Sequence, residues 1–190
     1  LRDRRARRNL RRSIDLGARA ERSLGVLVLD SDRAAAFCVP GRQRAVVFTS
    51  AALHALTADE LTGVLAHERA HLRGHHHVAV AAARICERAL PGVPLLLAAR
   101  AQVERLVELL ADDAAARRAD PLSVASAMVT LAGMKAPSAA MGAADGSATF
   151  RVTRLLTPIL PVPAPFRVLV GAAAMAAVLV PLGFAAWPLA

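Results

Sequence analysis

Thr57-Ala58-Asp59-Glu60-Leu61-Thr62-Gly63-Val64-Leu65-Ala66-His67-Glu68-Arg69-Ala70-His71 is the stretch on which the reading of this chain turns. Thr57 followed three residues later by Glu60 is a capping box, in which each side chain takes up an orphan N–H of the other. A helix is therefore expected from about 58 to 74, with Leu61, Val64, Leu65 and Leu72 near one face. On it stands H-E-x-x-H. Residues four apart share a helical face, so His67 and His71 can reach one Zn²⁺ at about 2.0–2.1 Å. Glu68 is rotated by one residue, beside such an ion rather than on it, where a carboxylate can serve as general base.

Two residues compete to be the third ligand. His67 to His77 also fits the longer pattern H-E-x-x-H-x-x-G-x-x-H, with Gly74 as the turn and His77 as ligand. The consecutive His75, His76 and His77 make that register easy to meet. The rival is Glu108 on a second helix, with Asp112 one turn on. A Glu ligand followed by that Asp gives one carboxylate for the ion and another to hold a ligand histidine's free N–H. Asp113, rotated by about 100°, is expected to point elsewhere. Glu104 is expected to pair with an arginine such as Arg100.

Outside this region the reading is coarser. Residues 24–29, 35–39 and 45–49 are expected as strands, the last two joined as a hairpin through Pro40-Gly41. Strand 45–49 is read as an edge to which a peptide can add. Ser50 is taken as the cap of a short helix over 51–56. Further helices are expected over about 76–90, 95–118 and 121–133, the last opened by Asp120-Pro121. The small and polar stretch 136–149 reads as a mobile linker. Cys38 and Cys86 are too few for a disulfide framework and are expected as reduced core residues.

The net charge of +9 is unevenly spread. Residues 1–12 hold seven arginines and one aspartate, a net of +6, so the other 178 residues carry +3. This leader has no interleaved aromatics, and no nucleic-acid partner is expected. At the other end Val168–Ala190 runs 23 residues without a charge, about 34 Å as a helix and long enough to span a bilayer. With Arg167 and the leader on one side of it, the expectation is a cell-membrane protein whose zinc domain faces the cytoplasm. The divisions are a basic leader over 1–23, a zinc metallopeptidase domain over 24–135, a linker over 136–166 and a transmembrane helix over 167–190.

Three segments resemble a known group: Ala36-Phe37-Cys38-Val39-Pro40-Gly41, Val46-Val47-Phe48-Thr49, and Leu56 to Leu61 leading into Val64-Leu65-Ala66-His67-Glu68. They look like the membrane-bound gluzincin peptidases, the HtpX-like proteases and more closely the beta-lactam sensor-transducer (BlaR/MecR-type) metallopeptidases. The likeness covers about residues 24–120, without a penicillin-binding sensor domain. It implies an α-rich α+β fold with a small sheet, a Zn²⁺ cofactor and a protein or peptide substrate, such as a transcriptional repressor. It also implies that the third ligand is the Glu of E-x-x-x-D, here Glu108, with Asp112 behind it. The alternative is a signalling or scaffold membrane protein with a zinc site and little turnover; a scaffold has no need of Glu68.

Overall fold

The computed structural model describes residues 14, 17–41, 44–135, 141–157, 163–166, 168–172 and 175–176. It divides at Thr157 into two compact units. Among the described residues the first holds four strands, β1 (Ala18–Glu21), β2 (Val26–Leu29), β3 (Ala36–Val39) and β4 (Ala45–Thr49), and six helices. These helices are α1 (Ser50–Ala55), α2 (Ala58–Arg73), α3 (His76–Ala89), α4 (Pro94–Ala116), α5 (Pro121–Lys135) and α6 (Met141–Leu156). In the second unit the described residues include helical turns at 164–166 and 168–172. Among the described residues no helix is long and apolar enough to cross a membrane. The charge-free run after Arg167 falls largely outside them, as does the arginine run of 1–12.

The sheet runs in the order β1-β2-β4-β3. β3 and β4 form the expected antiparallel hairpin, Phe37 facing Val47 and Cys38 facing Val46. β4 then lies parallel to β2, with Val28 beside Phe48. It is therefore an interior strand, and the reading of 45–49 as an edge is corrected: the edges are β1 and β3. The cause lies in composition, since Val46, Val47, Phe48 and Thr49 are all buried and need cover on both faces. β1 lies inside the stretch read as leader, and pairs antiparallel with β2.

Below the sheet, Val26, Val28, Val46 and Phe48 join Ala52, Leu56, Val64, Leu65 and Ala127 in one core. The capping box forms as expected: Thr57 N–H donates to Glu60 Oε2 at 2.8 Å and Glu60 N–H to Thr57 Oγ1 at 3.3 Å. Glu60 is buried and its other carboxylate oxygen accepts from the Ser126 hydroxyl of α5, which fixes the start of α2 against that helix. The cap of α1 is Thr49 rather than Ser50: Ala52 N–H donates to Thr49 Oγ1, while Ser50 Oγ bonds back to Asp30. Gly63 lets α5 come close, because a Cβ there would meet Val124 Cγ2 at 3.0 Å. Arg69 ties the outer face of α2 to the β1–β2 turn through the Leu24 carbonyl. The stretch read as a mobile linker carries α6 instead. Arg154 forks onto Asp113 at 2.6 and 2.9 Å and Arg151 onto Asp112, so ion pairs that a local reading cannot see hold this helix on α4.

Candidate metal centre

α2 and α4 pack side by side and present their facing side chains to one point. His67 and His71 are each 14% exposed, and their Nε2 atoms lie 3.1 Å apart. Glu108 of α4 comes in from the facing helix, Oε2 at 3.6 Å from His67 Nε2 and Oε1 at 3.5 Å from His71 Nε2. These three side chains are the group among the described residues that could hold a metal ion. A tetrahedral site with bonds of 2.0–2.1 Å has ligand atoms about 3.3 Å apart. The two Nε2 atoms, 3.1 Å apart, are close to that value, and each has a different Glu108 oxygen within 3.6 Å.

Behind the three lies a shell of oriented partners. Asp112, fully buried, places Oδ1 3.0 Å from His67 Nδ1, which leaves Nε2 as the nitrogen turned to the centre. His71 Nδ1 lies 2.9 Å from His76 Nδ1, so its Nε2 is likewise turned inward. Arg151 of α6 binds Asp112 through two nitrogens, each at 2.7 Å, and reaches Glu108 Oε2 at 2.9 Å. Glu68 lines the same cavity as His67, Glu108 and Arg151. Three carboxylates (Glu68, Glu108, Asp112) and one guanidinium leave a formal charge of two negatives, which a divalent cation would balance. The donor set and the charge both fit such an ion.

The electrostatics follow the same geometry. Burial pulls His67 down, but the hydrogen bonds to Asp112 and Glu108 and the nearby Glu68 charge outweigh it, and its pKa stands at about 9. His71 is pushed down to about 4 by burial and by the His67 charge. One proton is thus held on His67, shared toward a neutral His71. Glu108 and Asp112 are both held below the ordinary carboxylate range: burial opposes this, and His67 and Arg151 overcome it. The Cys38 thiol of edge strand β3 is pushed up to about 12 by burial and by Glu68, to whose carboxylate it hydrogen-bonds.

A cavity of about 260 Å³ opens directly beside Glu68, walled by Val64, Val124, Met128 and Leu131. Ala36 of β3 stands on its rim, so an edge strand, the carboxylate and an apolar hollow adjoin one another.

Residues 1–160 match the profile of Peptidase family M48. The chain belongs to peptidase family M48. That family is one of metal-dependent peptidases, which act on protein or peptide substrates. No curated protein and no solved structure matches this M48 chain.

The structure brings together His67, Glu68, His71, Glu108 and Asp112. It does not bring in His77, which is exposed and outside the cluster. Glu104 pairs with Arg84 at 2.9 Å and Arg100 at 3.6 Å, and His54 bonds the Ser50 carbonyl. Asp113 turns away to Arg154. Cys86 is exposed rather than in a core, because no residue of α3 is buried. Two residues escaped the sequence reading. His76 was hidden in a run of three histidines, although the break after α2, where His75 takes φ 50°, is what turns its ring back toward His71. Arg151 lies 39 residues beyond Asp112 in a stretch taken for linker. The surplus of acid around the histidines is the one signal that calls for such a cation.

Proposed function

We propose that this M48 chain is a zinc metalloendopeptidase in which His67, His71 and Glu108 hold the ion and Glu68 is the general base. The observation that carries the reading is the convergence of His67, His71 and Glu108, whose ligand atoms lie within 4.8 Å of one another, with Glu68 lining the adjoining cavity. The bound ion supplies Lewis acidity at the scissile carbonyl. The chain's own residues do the rest. Asp112 fixes His67, and Arg151 fixes Asp112 and Glu108 together. The exposed edge of β3 pairs with an extended substrate backbone, and the hollow walled by Met128 and Leu131 takes an apolar side chain from it. Glu68 accepts the proton of the attacking water and passes it to the leaving amine nitrogen.

On the sensor-transducer likeness, the substrate is a regulatory protein such as a transcriptional repressor. The zinc domain faces the cytoplasm and the run after Arg167 anchors the chain in the membrane. A reporter fused after Ala190 should then read as extracytoplasmic, and a cytoplasmic reading would refute that topology. The enzymatic reading is tested by Glu68→Gln, which should keep one zinc per chain by elemental analysis and lose cleavage of a casein substrate. Undiminished cleavage by this variant would remove Glu68 from the mechanism.

A further inference from the structure

The C-terminal ends of α2 and α4 meet at a second hollow, of about 300 Å³. Arg73, Gly74, His76, Leu110, Arg117 and Arg118 surround it, with Ala70 and Ala114, and among the described residues no carboxylate lines it. Arg73 is the last residue of α2, and Arg117 caps α4 with Arg118 next. Cations at such positions ordinarily complement helix dipoles. Two helix C-termini present about half a negative charge each, roughly one in total. Three guanidiniums exceed that by about two positive charges, close to the charge of a phosphate group at neutral pH. Four other arginines in this fold are matched by acids, Arg84 and Arg100 by Glu104, Arg151 by Asp112 and Arg154 by Asp113, while Arg69 bonds a backbone carbonyl and Arg105 lies over the Phe150 ring. Among the described residues Arg73, Arg117 and Arg118 have no carboxylate partner, and Arg73 Nε donates to the Arg69 carbonyl at 3.2 Å.

We propose that this hollow binds a phosphate-bearing anion, free or as a lipid headgroup, through Arg73, Arg117 and Arg118. Planar guanidiniums suit phosphate oxygens, each able to donate two parallel bonds. His76, which lines the hollow, lies 2.9 Å from His71 of the metal centre. The proposal stands on the arginines and the hollow and does not require the peptidase reading.

The test titrates the 190-residue chain with inorganic phosphate, with ionic strength held constant by chloride, and follows the Gly74 amide and His76 ring by NMR. Both signals should shift saturably while those of His54 stay still. The triple variant Arg73→Gln, Arg117→Gln, Arg118→Gln should bind at least about tenfold more weakly, since each lost guanidinium removes charge-assisted bonds. Arg88→Gln, exposed on α3, should bind as the parent does. All three exchanged side chains are exposed, and unchanged circular dichroism checks the fold. The three single variants give the same answer by graded losses. A second arm measures cosedimentation with phosphatidylcholine vesicles, with and without phosphatidic acid. Arginine-dependent capture by the acidic vesicles assigns the headgroup, and phosphate binding without capture assigns the free anion. Equal phosphate binding by the triple variant and the parent would overturn the proposal. So would the absence of both phosphate shifts and arginine-dependent capture.

Discussion

His67 is the residue on which proton and metal compete. Its ordinary pKa of 6.5 rises to about 9 in the folded, metal-free protein, because Asp112 and Glu108 hold the imidazolium against the pull of burial. The contribution of these contacts to metal-free stability is complete below about pH 6.5 and is lost as pH rises through about 9. Metal binding has the opposite slope, since a ligand imidazole must shed that proton. Zinc affinity, measured by competition with a chelator, should rise about tenfold per pH unit up to about pH 9 and then flatten. A flat profile between pH 7 and 9 would mean that His67 is already neutral. Arg151 is the second decisive residue. Removing it leaves Asp112, 1% exposed, as a buried charge without its fork. Breaking a buried pair in this way costs about 3–5 kcal/mol. Arg151→Ala should lose about that much in urea unfolding and should weaken zinc binding about 10–100-fold, as the loss of an orienting partner does. Stability within 1 kcal/mol of the parent, roughly the worth of an exposed pair, would show that the fork is dispensable.

At the scale of elements, α2 was legible from its own residues. Thr57, Glu60 and the apolar face are local signals, and they set both the start of the helix and the face that carries His67 and His71. Thr57→Ala removes one half of the capping box and should cost about 1 kcal/mol in thermal or urea unfolding. A loss below a few tenths would mean that the Ser126–Glu60 bond alone holds that end. What escaped was nonlocal. The interior place of β4 depends on β2 lying parallel to it; the unbroken run Val46-Val47-Phe48 calls for cover on both faces but does not name the partner strand. β1 is a strand because β2 offers it an edge; Ala18-Arg19-Ala20-Glu21 has little strand character of its own. α6 likewise owes its place to Arg151 and Arg154 finding Asp112 and Asp113. α5 contributes the wall of the cavity, and its role is testable through Met128. Met128→Lys should shift cleavage from peptides with a bulky apolar residue beside the scissile bond toward acidic ones, with zinc content unchanged. An unaltered preference profile would place substrate side chains elsewhere.

In the molecule as a whole, a small mixed sheet and a helical layer bring two sequence-distant motifs, His67–His71 and Glu108–Asp112, to one point. The two motifs were legible because each is confined to one helix. Their meeting, with Arg151 closing the far side, is a property of the packing of α2, α4 and α6. The central claim is that the ion sits among His67, His71 and Glu108 and not on His77, and anomalous diffraction at the zinc edge from crystals of the zinc-loaded chain tests it most directly. The account predicts one peak per chain, about 2.0–2.1 Å from both Nε2 atoms and from a Glu108 carboxylate oxygen. A peak bound by His77 with Glu108 turned away, or no peak at the two Nε2 atoms, would contradict it.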